Sequence, residues 1–244
     1  MAAGLSLQLL GVVWLGAFVG ALAAGGAGFA FALMASSIWL HALDPLHTTM
    51  LVVACGSLLH VGLLWPMRAS IEIPRLAPFA VGGLIGVPIG VALLTRADGG
   101  LLKGALGLFL LVYGTYALLA PRLPVLTGGG RAADAAVGLA GGILGGLGGY
   151  SGVLPTIWTQ LRGWPKERAR GVYQPFILLA HVMTLALLGA LALDARGALL
   201  LLASLPALLA GALMGWRIYG RLNERLFRKM LAALLAASGL MLLL

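Results

Sequence analysis

Residues Gly138 to Pro155 read GLAGGILGGLGGYSGVLP, and this stretch decides the fold. It lies inside an apolar run, yet it is too rich in glycine to hold a straight helix. Each interior glycine costs roughly 1 kcal/mol relative to alanine. In lipid, every backbone N–H and C=O released by a break must find a partner. A membrane chain therefore tolerates such a stretch only where it packs on protein or lines a wet cavity. A second stretch, Gly16 to Leu33 (GAFVGALAAGGAGFAFAL), matches the first at Gly16/Gly138, Gly20/Gly142, Leu22/Leu144 and Gly26/Gly148. The two are read as halves of one binding site.

Working outward, composition sets the class. The 244 residues are 61% hydrophobic and only 9% charged, with a mean hydropathy of +1.05. Soluble domains carry roughly 25% charged residues, and several apolar runs here reach the ~20 residues needed to cross a bilayer. The chain is expected to be an all-α polytopic membrane protein, with no soluble domain of its own. The net charge of +9 could suggest nucleic acid, but the basic residues fall in short loops between spans, as the positive-inside rule produces. No nucleic-acid partner is expected; the lipid bilayer is. Cys55 is the only cysteine, so no internal disulfide can form. The N-terminal segment lacks a positive leader region and reads as the first membrane segment.

The apolar block from about Leu5 to Leu43 is too long for one straight span, and Gly25, Gly26 and Gly28 should cut it into two short helical pieces. Spans follow at about Thr48–Trp65, Leu76–Leu94 and Leu101–Leu119. Gly82, Gly86 and Gly90 put small residues on one face, where another helix can approach closely, and Pro88 among them should kink the helix. Residues 121–131 (PRLPVLTGGGR) read as a linker. The block Ala132–Leu161 is broken again, a span runs to about Leu193, and a tight turn is expected at Asp194–Gly197. Gly211 and Gly215 align with Gly86 and Gly90, and His60 with His181. This internal duplication divides the chain into an N-terminal repeat (1–120), a loop (121–131) and a C-terminal repeat (132–244).

Charge sets the orientation. If each broken block returns to its starting side, thirteen basic residues share one side: Arg68, Arg75, Arg122, Arg131, Arg162, Lys166, Arg168, Arg170, Arg217, Arg221, Arg225, Arg228 and Lys229. Only Arg96, Lys103 and Arg196 lie opposite. This is the more polarised arrangement. It makes the halves two inverted repeats, each a glycine-broken helix pair followed by three transmembrane helices, a layout common among secondary transporters.

The chain resembles the TauE/SafE sulfite exporter family, also called the toluene-sulfonate uptake permeases. The resemblance rests on the repeated glycine-rich stretch and on GGLGGYSGVLP followed by RGWPKERAR. The first half is more degenerate, with Ala24 and Ala27 where the family often has glycine. The resemblance implies movement of sulfite, sulfonates or related organosulfur anions across a bacterial cytoplasmic (inner) membrane.

The breaks suit an anion. Half-helices starting near Ala27 and Ser151 would aim free N–H groups and positive dipole ends inward. Pro155 fits a first helical turn, and Ser151 can cap that helix or donate to a ligand oxygen. The substrate-binding candidates are Gly25, Gly26, Gly28, Gly148, Gly149, Tyr150, Ser151, Gly152 and Gln174, with Thr48, Thr49 and Ser57 as further lining. The bland alternative is that these glycines only let helices pack.

All seven acids (Asp44, Glu72, Asp98, Asp134, Glu167, Asp194 and Glu224) sit in loops or at segment ends. Cation transporters usually carry an intramembrane carboxylate, so a small anionic substrate is expected. No HExxH or GxSxG motif occurs, and neither an enzyme nor a cofactor or metal is expected. His60 and His181 are the titrating groups well inside spans. They are candidates for anion binding or a proton relay, against a neutral histidine bonded to a backbone carbonyl. Arg162, Lys166, Arg168 and Arg170 read as topology determinants. The expected function is a secondary transporter for a small organosulfur anion, working by alternating access, with a proton as the coupling ion if transport is inward. A channel or transporter for another oxyanion or carboxylate, and a non-transporting scaffold, stay open.

Overall fold

The computed structural model describes residues 6–94, 99–119, 125–192 and 195–243. Arg96, Asp98, Arg122 and Asp194 lie outside them, and so does the side chain of Lys103. Among the described residues ten α-helices follow in order: α1 (Leu7–Ala27), α2 (Phe31–Trp39), α3 (Pro45–Met67), α4 (Ile73–Leu94), α5 (Gly99–Leu119), α6 (Gly130–Gly148), α7 (Val153–Leu161), α8 (Lys166–Ala192), α9 (Ala195–Arg221) and α10 (Glu224–Leu243). Six described segments are long and apolar enough to cross a membrane, at Leu7–Ala27, Pro45–Ser70, Ile73–Leu94, Lys166–Leu188, Ala195–Arg221 and Glu224–Leu243.

Local chemistry starts these helices where polar residues allow. Ser6 Oγ accepts from Leu9 N at 3.2 Å. Asp44 Oδ1 accepts from His47 N at 3.0 Å, with Pro45 at the first helical position of α3, and Asn223 Oδ1 accepts from Leu226 N at 2.9 Å. Such caps replace N–H partners that the helix itself lacks. The expected turn at Asp194–Gly197 is corrected, because Ala195, Arg196 and Gly197 already belong to α9. Pro88 sits inside a continuous α4.

The broken blocks reverse direction. Trp39 Nε1 near the end of α2 donates to Val13 O early in α1 at 3.2 Å. Trp158 Nε1 on α7 donates to Asp134 Oδ1 near the start of α6 at 2.7 Å. Each nine-residue return helix is about 14 Å long, roughly half the ~30 Å hydrocarbon core. The first piece is longer than the short one expected: α1 runs for 21 residues and ends within the Gly25–Gly28 stretch, and α6 runs for 19 to Gly148. Gly25 and Gly26 stay helical, and the chain leaves α1 only at Gly28, with φ +86 and its N–H bonded to Ala24 O.

The reason is interhelical packing. α4 packs against α6, α1 against α9, α5 against α10 and α3 against α8. A Cβ added at Gly25 would fall 2.9 Å from Gly215 Cα, and one at Gly142 would fall 2.9 Å from Gly83 Cα. Gly82, Gly86 and Gly90 receive the backbone of α6, while Gly211 and Gly215 receive that of α1. Exchanging α1–α5 for α6–α10 maps this set of pairings onto itself.

Loops at one end are stitched together. Arg168 Nε reaches Glu72 Oε1 at 2.8 Å, beside the Arg75–Glu72 pair. Arg75, with Arg168, holds the Glu72 carboxyl below its ordinary range. Arg162 donates to Gly128 O at 3.1 Å, and Lys166 N to Glu224 Oε1 at 3.1 Å. Loops 68–72, 125–129, 162–165 and 222–223 therefore share an end. Single cysteines at Gly128 and Lys166 in a Cys55→Ala background are expected to label from the same side of a vesicle; labelling from opposite faces would contradict this packing.

Candidate functional site

The two breaks meet in the interior. A Cβ added at Gly152 would lie 2.9 Å from Phe29 Cβ and 2.5 Å from Ile177 Cδ1. One added at Gly149 would lie 2.5 Å from Val52 Cγ1 and 3.6 Å from Ala32 Cβ. The contact between the breaks is thus apolar, and polar groups flank it.

Gly149 ends α6 at φ +78, with its N–H on Gly145 O at 2.7 Å and Tyr150 N on Leu144 O at 3.1 Å. That closure, with Tyr150 N reaching back six residues, needs a left-handed residue, which glycine supplies without a Cβ penalty. Tyr150 OH then donates to Ser36 Oγ at 3.0 Å, joining the second break to α2. Ser151 does not cap α7: the N-cap is Gly152, without a side-chain bond. Its hydroxyl is buried and has no hydrogen-bond partner among the described residues. The expected half-helix starts near Ala27 and Ser151 are corrected to Phe31 and Val153, because the left-handed glycines each need several further residues to complete the reversal.

Both histidines are inside the protein, His60 at 0% and His181 at 1% exposure. Their rings sit edge to face, 5.8 Å between centroids. His181 Nε2 lies 3.0 Å from Gly149 O. A carbonyl can only accept, so Nε2 carries the proton, and in the neutral ring Nδ1 is a bare acceptor. Nδ1 and both ring nitrogens of His60 have no partner among the described residues.

Around the first break, Gly25 O and Gly26 O face Arg170, and Tyr173 OH donates to Ala27 O at 2.6 Å. A Cβ on Gly28 would fall 3.0 Å from each of Arg170 Nε, Gln174 Nε2 and Tyr173 Cε2. The topology reading of Arg170 is corrected: it is fully buried, one turn inside α8. The available signal was the spacing of Arg170, Tyr173 and Gln174, which places all three on one helical face.

Of the remaining candidates, Gly25 packs on α9, and Gly148 packs beneath the Tyr150 ring. Gly26 meets Met230 at ordinary contact distance. Thr48 and Thr49 are buried, the Thr48 hydroxyl without a partner among the described residues. Ser57 is satisfied within α3 by Val53 O at 2.7 Å. A groove of about 560 Å³ between α3 and α9 is lined by apolar residues, Leu59, Leu208 and Trp216 among them. Such a lining suits an acyl chain better than an anion.

A family model described as "Sulfite exporter TauE/SafE" matches residues 9–242. Neither a curated protein nor a solved structure matches the chain.

Proposed function

The chain belongs to the TauE/SafE sulfite exporter family of membrane transporters, and from that footing we propose that it is a secondary transporter for a small organosulfur anion such as sulfite or a sulfonate. It works in the bacterial inner membrane by alternating access, and it is not an enzyme. The observation that carries this reading is the meeting of two helix breaks in the interior, with buried polar groups on either side of the contact. The halves 1–120 and 132–244 are inverted repeats about the 121–131 loop, each a glycine-broken pair followed by three spans. The reversal of both broken blocks and the reciprocal packing of α1 on α9 and α6 on α4 support that symmetry. Breaks in matched halves form a site that two rocking repeats can open to either side in turn.

Within this reading Gly28, Gly149, Tyr150, Ser151, Gly152 and Gln174 bound the substrate site. Gly25, Gly26 and Gly148 shape the helix ends that hold it. His60 and His181 supply the proton path needed for uptake, His181 accepting at Nδ1 while Nε2 stays on Gly149 O. Export needs no such coupling, since an inside-negative potential drives an anion outward by about 2.3 kcal/mol per charge per 100 mV.

Counterflow in proteoliposomes with sulfite, thiosulfate, sulfonates and carboxylates tests the proposal. Saturable exchange of at least one organosulfur anion is expected. Saturable uptake of sodium, calcium or an amine without any anion, or currents that never saturate, would overturn it.

A further inference from the structure

Among the described residues, Arg170 is the only fully buried arginine or lysine. Among the described residues no carboxylate lies within ion-pair distance of it: Glu167, three residues earlier, is exposed and lies 3.8 Å from Lys166. Its guanidinium sits 4.0 Å from the Tyr219 ring centre and 5.4 Å from that of Trp216. Its terminal nitrogens reach Gly25 O and Gly26 O at 3.3 to 3.4 Å, longer than the usual 2.9–3.0 Å for N–H···O. Among the described residues Nε has no partner, and one turn further Gln174 is fully buried with neither end of its amide bonded.

Carbonyls and ring faces offset part of the cost of a buried cation, but they leave its full charge in place. A residue serving only to close α1 would not need an unbonded amide beside it, and the Ala27 carbonyl already has Tyr173 OH. Residues four apart on a helix share a face. Arg170 Nε and Gln174 Nε2 each lie 3.0 Å from the point where a Gly28 Cβ would be, so they are no more than twice that distance from one another. Two unspent donors, one of them charged, converge on a backbone that only glycine can supply there.

We propose that Arg170 and Gln174, beside Gly28, form the subsite that holds the transported anion, and that its ligand class is a small oxyanion bound through a permanent positive charge. The subsite deepens the transport reading and rests on it. The pair faces the first break, one to two turns in from the end where Lys166 and Arg168 gather, so the anion enters from that end. Recognition needs no protonation step, because an arginine keeps its charge at every physiological pH. The histidines are left free to serve coupling.

The probe is methanesulfonate, whose charge is constant across the range, with affinity measured from pH 5.5 to 8 on the purified full chain. Affinity is expected to be flat with pH. Gln174→Leu should weaken binding by about tenfold or more, the scale of a lost hydrogen bond to a charged group. The same variant should be as heat-stable as the wild type, or more so, without anion, since it removes an unbonded buried amide. Arg170→Met should abolish binding and Arg170→Lys should restore part of it. Should Arg170→Met fail to fold, Gln174→Leu and Arg170→Lys carry the test. Unchanged affinity in those two variants overturns the subsite, and if the wild type still exchanges sulfite the transport reading survives. Binding of acetate alone, lost in Gln174→Leu, supports the subsite and ends the organosulfur reading. Affinity that falls as the histidines deprotonate, or a wild type that binds none of methanesulfonate, sulfite, thiosulfate and acetate, also overturns it.

Discussion

Replacing Gly86 with leucine is expected to leave almost no folded protein. The α4 face that carries Gly86 lies directly on the backbone of α6, where an added Cβ would collide with Leu139 O and sit 3.0 Å from Ile143 N. Backbone atoms cannot rotate away as a side chain can, so the helices themselves must separate. In lipid that separation is doubly costly. The close contact is what holds the pair, because tails outside are as apolar as leucine and no hydrophobic drive remains to compensate. Overpacking by a few carbons costs typically 1–3 kcal/mol in a deformable core. Here α4 and α6 touch along several successive turns, so roughly 4 kcal/mol or more is expected, a value at the exceptional end for one substitution. Gly62→Leu is the control: nothing lies within 4 Å of its Cβ position, and no loss of stability is expected. Monodispersity and thermal stability in detergent would separate the two. Equal stability of Gly86→Leu and Gly62→Leu would mean that the α4–α6 contact is not the one described.

Gly149→Val should lose transport and stability together. An L-residue at φ +78 pays about 1–2 kcal/mol for the left-handed conformation. Valine then meets Val52 Cγ1 only 2.5 Å from its Cβ, adding about 1–3 kcal/mol of overpacking. Relief can come only by moving the break, which draws Gly149 O away from His181. An orphaned buried N–H costs about 1–3 kcal/mol, or roughly five- to 150-fold if it is lost at the transport barrier. Gly149→Ala separates the two effects, since it keeps most of the backbone strain and relieves part of the clash. Sulfite counterflow and melting temperature, measured on both variants, give the comparison. Wild-type transport in folded Gly149→Val would show that this glycine serves neither the break nor the site.

Much of this protein is written in stretches that can be read alone. Span length, the loops that carry arginine and the doubling of a glycine-rich block depend on composition within twenty residues. So the ten-element order and the reversal of each broken block were legible from the apolar runs and the thirteen-to-three charge split. Gly82, Gly86 and Gly90 announced a close helix contact by spacing alone, though not that α6 would fill it.

What the tertiary structure alone decided is which face of each helix looks inward. In water an amphipathic pattern marks that face. In lipid both faces are apolar, and the pattern is erased. Gly25 and Gly28 therefore look alike in sequence, yet one packs on α9 and the other ends α1. Arg170 looks like another loop arginine beside Arg168, yet two residues, a rotation of about 200° around the helix, carry it from the surface to full burial against Tyr219. The difference is rotational position on α8, and only the neighbours α1 and α9 set it.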